Sequence, residues 1–228
     1  MASIIIGAGP GMGRAIAAAL GPAHGPVALV ARRASVLDEV TAELGARGID
    51  ARGYPADITD DAALREAIRR GRVDLGRLSV VVCNASLYVP GPPTQVPVDQ
   101  FRVGLSVGVT AALVTLQATA DDLRAAAPNS ALLFTGSGLA LHPWPDAIGL
   151  AVQKAGLRHL ALAAAEELRP AGVSVSLVTI RGTLAAGTAF DPDRIAEVYA
   201  DLATPGVDHP VEVTITADGP DWTLPAVE

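Results

Sequence analysis

The chain has 228 residues, 50% of them hydrophobic and 18% charged, with a net charge of −7. This balance excludes a disordered chain and supports one sizeable core, built from Ala, Val, Leu and Ile because aromatics are only 4%. The basic blocks are no longer than pairs such as Arg32-Arg33 and Arg69-Arg70, so neither nucleic acid nor a membrane is expected as a partner.

One cysteine, Cys83, excludes an internal disulfide and a Cys-based zinc cage, and no metal is expected. No apolar run reaches the ~18 residues that span a bilayer, and the opening Met1–Ile6 lacks the basic start of a signal peptide. The expected location is the cytoplasm.

In chain order, Ser3–Ile6 reads as a short buried strand, followed by a glycine-rich turn and a helix over Gly13–Leu20. Val27–Ala31 is a second strand, and Ser35–Arg47 is a helix with Val36, Val40 and Leu44 on one face, stopped by Gly48. A third strand is expected at Ile49–Tyr54, a helix at Asp60–Gly71 and a very apolar fourth strand at Leu78–Cys83. Val98–Ala127 is a long helix ended by Pro128, and Ser130–Thr135 is a fifth strand. Ala147–Leu168 is a helix apolar on most of its surface, Val173–Thr179 a strand, Pro192–Leu202 a helix and Val211–Thr216 the last strand. Near-continuous apolar strands alternating with helices predict an α/β fold. Its sheet is doubly wound, Rossmann-like and mostly parallel, with about seven strands and helices on both faces. With no repeat, linker or composition break, residues 1–228 read as a single domain, with a lid-like loop near 182–192.

Two motifs point to a dinucleotide. The first, Gly7-Ala8-Gly9-Pro10-Gly11-Met12-Gly13, follows a strand and opens a helix. Gly7 permits the tight turn, Gly11 leaves room for a pyrophosphate and Gly13 lets the helix pack close, while the helix end around Met12 offers free N–H groups. The second ends strand two: Ala31 is neutral, and Arg32 and Arg33 are cationic where an acid would repel a 2′-phosphate. NADP(H) is therefore expected in preference to NAD(H).

The N-terminal Gly-x-x-x-Gly-x-Gly resembles that of the short-chain dehydrogenases/reductases, and further marks follow in order. Asp57-Ile58 looks like the family's adenine-contacting segment. Asn84-Ala85, in Cys83-Asn84-Ala85-Ser86, looks like its Asn-Asn-Ala-Gly motif. Ser137 and Lys154 look like its active-site serine and lysine, and Arg181-Gly182 stands where the family has Pro-Gly beside the nicotinamide. The resemblance implies an oxidoreductase in which Lys154 holds the nicotinamide ribose.

Two departures interrupt this pattern. In the resembled family a Tyr lies four residues before the Lys and 13 after the Ser; that position here is Leu150, which cannot transfer a proton. The family's helix asparagine aligns with Gly108. Lys154 is nevertheless the single lysine beside 16 arginines, which suggests that it is kept for the cofactor. Tyr88 and His142 are candidate replacements for the tyrosine, with Tyr199 and Asp146 as further ones; Trp144 is expected to shape a pocket or an interface.

Without a strong acid, an acceptor that gives a stabilised anion is expected: a quinone or another conjugated carbonyl, apolar and planar. The alternatives are a cofactor-binding partner subunit without catalysis, or a non-redox enzyme on the same fold. The all-round apolar helix Ala147–Leu168 predicts a homodimer or homotetramer.

Overall fold

The computed structural model describes residues 1–222. Eight strands form one sheet: β1 Ala2–Ile6, β2 Val27–Ala31, β3 Ala51–Pro55, β4 Leu78–Cys83, β5 Ala131–Ser137, β6 Ser174–Ile180, β7 Glu212–Thr216 and β8 Gly219–Asp221. Their order is β3-β2-β1-β4-β5-β6-β7-β8. All neighbours are parallel except β7 and β8. The helices are α1 Met12–His24, α2 Ala34–Ala46, α3 Asp61–Leu75, α4 Val98–Leu105, α5 Ala111–Ala126, α6 Ile148–Leu168 and α7 Pro192–Leu202.

The apolar strands follow from double coverage. Ile5, Val80, Val82 and Leu133 face a layer that includes α1, α2 and α7. Ile4, Ile6, Val81, Leu132 and Phe134 face α3, α5 and α6. A strand covered on both sides has no solvent face on which to place polar residues. Strand order reverses on either side of β1, so the carboxyl ends of β1 and β4 open a crevice, the usual ligand position in such sheets.

Several boundaries differ from the sequence expectation, each for a local reason. The sheet has eight strands, because the chain turns back after β7 into a three-residue strand too short and polar to read. Strand β3 starts at Ala51 rather than Ile49, which instead completes the end of α2. Gly48 sits at φ +77°. Its N–H donates to the Gly45 carbonyl at 2.9 Å and the Ile49 N–H to the Leu44 carbonyl at 3.0 Å, the Schellman pattern. Helix α1 runs past Leu20 through Pro22 to His24. A Cβ on Gly21 would fall 2.4 Å from Ile49, so this glycine serves helix packing rather than termination. Gly71 likewise lies inside α3, where a Cβ would stand 3.1 Å from the Ala28 side chain. Asp60 caps α3 from outside, its carboxylate accepting from the Ala62 and Ala63 N–H groups.

The long helix expected over Val98–Ala127 is interrupted by a π-helical turn at Ser106–Thr110, which separates α4 from α5. Within the stretch Val98–Ala126 an 18-residue window has a mean hydropathy of 1.6, long and apolar enough by length and composition to cross a membrane. Counting uninterrupted apolar runs misses this because Ser106, Thr110, Thr115, Gln117 and Thr119 punctuate it, the charges lying only at its ends. In the fold, Ala111, Val114, Thr115 and Leu123 of this stretch are buried, and α5 packs on β4 and α3. Thr115 and Thr119 satisfy their hydroxyls on carbonyls one turn back, at 2.7 and 2.8 Å.

Helix α6 is tied to the sheet by a buried ion pair. Arg158 reaches the 2% exposed Glu212 of β7 at 2.8 Å, and the Thr179 hydroxyl donates to the same carboxylate at 2.6 Å. This pairing satisfies the buried charge and fixes the helix that carries Lys154.

Candidate functional site

The glycine turn is built as its residues require. Gly7 has φ +94°, and a Cβ there would meet the Ala85 nitrogen at 2.6 Å. A Cβ on Gly13 would meet the Gly7 carbonyl oxygen at 2.7 Å. Gly9 and Gly11 instead face open space. Gly11 begins α1 with no side-chain cap, so the first-turn N–H groups, around Met12 and Gly13, remain directed outward at the positive end of the helix.

Beside this turn lies a cavity of about 570 Å³ at the ends of β1, β2 and β4. Gly7 and Gly9 form one wall, Ala31 and Arg32 a second, and Asp57, Ile58 and Thr59 a third. The segment Asn84–Leu87 closes it, with Val103 and Val107 below. The Asp57 carboxylate accepts the Thr59 N–H at 3.0 Å and hydroxyl at 2.8 Å. These bonds, with a smaller contribution from Arg32, hold its pKa below the ordinary carboxylate value. Arg33 lies elsewhere: it is exposed, begins α2 and does not line the cavity.

A directed hydrogen-bond chain crosses the sheet behind the cavity. The Asn84 amide donates to the Gly7 carbonyl at 2.8 Å and its oxygen accepts from the Thr135 hydroxyl at 2.9 Å. Thr135 has then used its proton, so the Tyr199 hydroxyl donates to it at 2.7 Å. Tyr199 is fully buried, and burial raises its pKa. It packs with the α1, α2 and α7 layer, so it braces Asn84 rather than supplying a proton to the cavity.

Lys154 enters from the opposite sheet face. It is 4% exposed, and its ammonium donates to the Thr135 carbonyl at 2.7 Å. Burial lowers its pKa to about 8. Among the described residues no carboxylate pairs with it. Leu150 lies one turn earlier on α6, half-buried, and Ser137 ends β5, where its hydroxyl accepts the Leu139 N–H at 3.3 Å. Tyr88 is 56% exposed and His142 is also exposed; like Ser137, Leu150 and Lys154, they do not line the cavity.

The 182–192 loop carries contacts of its own. A Cβ on Gly182 would fall 2.3 Å from the Phe190 ring, so that ring lies over the glycine. Thr188 knits the loop by donating to the Ala185 carbonyl at 2.7 Å and accepting the Phe190 N–H at 3.0 Å. The sequence did not single out Phe190, Thr135, Thr59 or Gln153. Only the Thr59 position carried a readable signal, as the second residue after an aspartate in an Asx turn.

The profile of the family described as short chain dehydrogenase matches residues 2–191. The cyclohexanol dehydrogenase of Rhodococcus sp. (strain TK6) is 30% identical over 199 residues, covering 77% of this chain and 72% of that protein. A metagenomic short-chain oxidoreductase solved with NADP superposes with a TM-score of 0.85 at 31% identity, over 94% of this chain and 96% of that one. A short chain dehydrogenase from Burkholderia cenocepacia J2315, also solved with NADP, gives a TM-score of 0.84 at 26% identity, over 94% and 96%. With this match along most of its length and this sheet order, the chain belongs to the short-chain dehydrogenase family of oxidoreductases.

Proposed function

We propose that this oxidoreductase uses NADP(H) to reduce a planar conjugated carbonyl compound, such as a quinone, without a tyrosine proton donor. The observation that carries the reading is the pairing of Leu150 with Lys154. The family's lysine is present and buried, while the residue one turn before it is an apolar side chain.

The residues present fit a dinucleotide. Gly9 and Gly11 leave open backbone at the start of α1 for a pyrophosphate, and Asp57, on the cavity wall, offers a carboxylate to an adenine amino group. Arg32 supplies the positive charge that a 2′-phosphate requires. An ammonium has three donors, and Lys154 gives one to Thr135, leaving two for ribose hydroxyls. When bound, the nicotinamide supplies a hydride.

The remaining question is the proton. Reduction of a simple ketone generates an alkoxide, which needs an acid in place; Leu150 is none, and Tyr88 and His142 are exposed loop side chains. Reduction of a quinone leaves a phenolate, stable enough to depart and take its proton from water. Ser137 then orients the acceptor oxygen by a hydrogen bond, and Leu150 offers an apolar wall to the ring. A second copy of the chain is proposed to cover the exposed Leu113 and Val152 on α5 and α6, which are 41% and 39% accessible. Light scattering that finds only a 23.1 kDa monomer at micromolar concentration overturns this assembly.

The test of function is a fluorescence titration with NADPH and NADH, then turnover against a quinone panel and a ketone panel. Tighter NADPH binding with quinone turnover and little ketone turnover is expected. Binding without consumption of NADPH against any acceptor favours the non-catalytic partner-subunit reading.

A further inference from the structure

Gln153 is polar and fully buried, next to Lys154 on α6. Its side-chain oxygen accepts the Leu87 N–H at 3.0 Å, and its side-chain nitrogen donates to the Leu87 carbonyl at 3.1 Å. One amide thus satisfies both backbone groups of one residue in the loop that follows β4. The space it occupies is that of an absent side chain: a Cβ on Gly108 would lie 2.1 Å from its Cγ and 2.3 Å from its Oε1. The π-helical turn at 106–110 contains this glycine. Two further glycines seat the same loop. A Cβ on Gly104 would stand 3.1 Å from the Gln153 nitrogen, and one on Gly149 would stand 2.7 Å from the buried Val89.

We infer that Gln153 is a positioning residue for the cofactor cavity, and that Gly108 is the vacancy that admits it. The inference rests on the dinucleotide reading of that cavity, because Asn84–Leu87 form its wall. The clamp on Leu87 fixes where that wall stands. Gly108 is then not simply a lost asparagine: returning an asparagine to position 108 evicts the Gln153 amide and releases the loop. A buried amide stripped of its partners is expensive, so the pair is strongly coupled.

A double-mutant cycle tests this in the full chain. Gly108→Ala and Gln153→Ala should each weaken NADPH binding at least tenfold, while the double variant should be no worse than the poorer single, because truncating Gln153 vacates the space the new methyl needs. Additive losses, or Gly108→Ala binding NADPH as the parent does, overturn the inference. If Gly108→Ala does not fold, the double variant must fold; its failure too counts against the proposal. Gln153→Glu adds a readout that packing alone does not move. A protonated carboxyl keeps one donor and one acceptor for Leu87, whereas the ionised form still accepts the Leu87 N–H but sets an acceptor against the Leu87 carbonyl. Leu87, Gly104 and Gly108 around this side chain are not ionisable, and the adjacent Lys154, which titrates near 8, is common to parent and variant. Below that value NADPH affinity of Gln153→Glu relative to parent should therefore fall as pH rises; a flat ratio overturns the clamp. Amide exchange over residues 84–91, measured without dinucleotide, separates the two readings. Parent protein that binds neither dinucleotide refutes the cavity assignment, while faster exchange of this segment in Gln153→Ala still reports the clamp; unchanged exchange refutes the clamp.

Discussion

The two halves of the carboxyl edge are built by different means. Around β1, β2 and β4, the cavity is shaped by backbone: Gly7 at positive φ, Gly13 against a carbonyl, open positions at Gly9 and Gly11, and one arginine on the wall. Around β5, α6 and the 182–192 loop, the site is shaped by side chains that reach across elements. Gln153 lies over Gly108, Phe190 over Gly182, and Lys154 meets the carbonyl of Thr135. The first half keeps its family pattern. On the reading proposed above, the second departs from it at Leu150 and Gly108, and Gln153 fills the room that Gly108 leaves. A cofactor half constrained by backbone geometry tolerates little change, whereas a half built of interlocked side chains can be remodelled as a set.

The contrast is broken most directly at Leu150. Leu150→Tyr puts a phenol one helical turn before Lys154, in the setting where the family uses it for proton transfer. General acid catalysis typically contributes ~10²–10⁴-fold, so ketone reduction should rise by up to that factor while NADPH affinity stays nearly constant. Steady-state rates on a ketone panel check this. A variant that folds, binds NADPH and reduces no ketone means that the remodelled half no longer accepts the family's chemistry by a single exchange.

Lys154 belongs to both halves, and its stability and its use oppose each other. Its pKa is lowered by burial from 10.5 to about 8, so the charged form is disfavoured in the folded chain. The unfolded chain binds more protons between those values, and stability from this group rises with pH from about 8 towards 10.5. Below pH 8 the full penalty applies, on the order of 3 kcal/mol at ~1.36 kcal/mol per unit. Lys154→Met should therefore stabilise the apo protein at pH 7 by an amount of that order. The advantage should shrink as pH rises above 8, and NADPH binding should be lost. Denaturant melts of both proteins across pH, read as a difference, cancel opposite trends such as that of Cys83, whose pKa burial pushes up to about 12. A variant that binds NADPH like the parent removes the claim that this lysine holds the ribose.

Legibility followed the same division. Strands β2 and β4 and helix α7 lie where apolar runs and the Asp191-Pro192 start place them, because a doubly covered strand and a capped helix declare themselves locally. Gly7 and Gly13 were readable because turn and helix packing each need a missing Cβ at a fixed spacing; Gly11 fits the same spacing, for the phosphate approach proposed above. Gly21, Gly71 and Gly108 carry the same letter for another reason, to admit a side chain or strand from far along the chain. Spacing cannot reveal that, so the first helix reads only to Leu20, the third only to Gly71, and Gly108 reads as a loss. Gln153 was unreadable for the same cause: its partner Leu87 is 66 residues away.

The smallest expected effect sharpens the cofactor half, where Arg32 and Arg33 are adjacent in sequence but unlike in place. Arg32 lines the cavity, and its charge helps keep the Asp57 pKa low; Arg33 begins α2 outside it. A charge-assisted contact to a 2′-phosphate is worth roughly 1.5–3 kcal/mol, or on the order of tenfold to a hundredfold in affinity. Arg32→Asp should lose that much NADPH affinity and gain NADH affinity, because a carboxylate repels the phosphate but accepts ribose hydroxyls. Arg33→Asp changes the charge by the same amount outside the cavity. Where both sites sense the phosphate only through long-range attraction, raising salt to ~1 M, where the Debye length is about 3 Å, should erase the two effects equally. A direct contact at Arg32 predicts instead that its preference for NADPH survives high salt while any effect of Arg33→Asp disappears. Equal losses from the two substitutions at high salt would place the discriminating contact elsewhere, and the cavity wall would then bind the adenosine without selecting its phosphate.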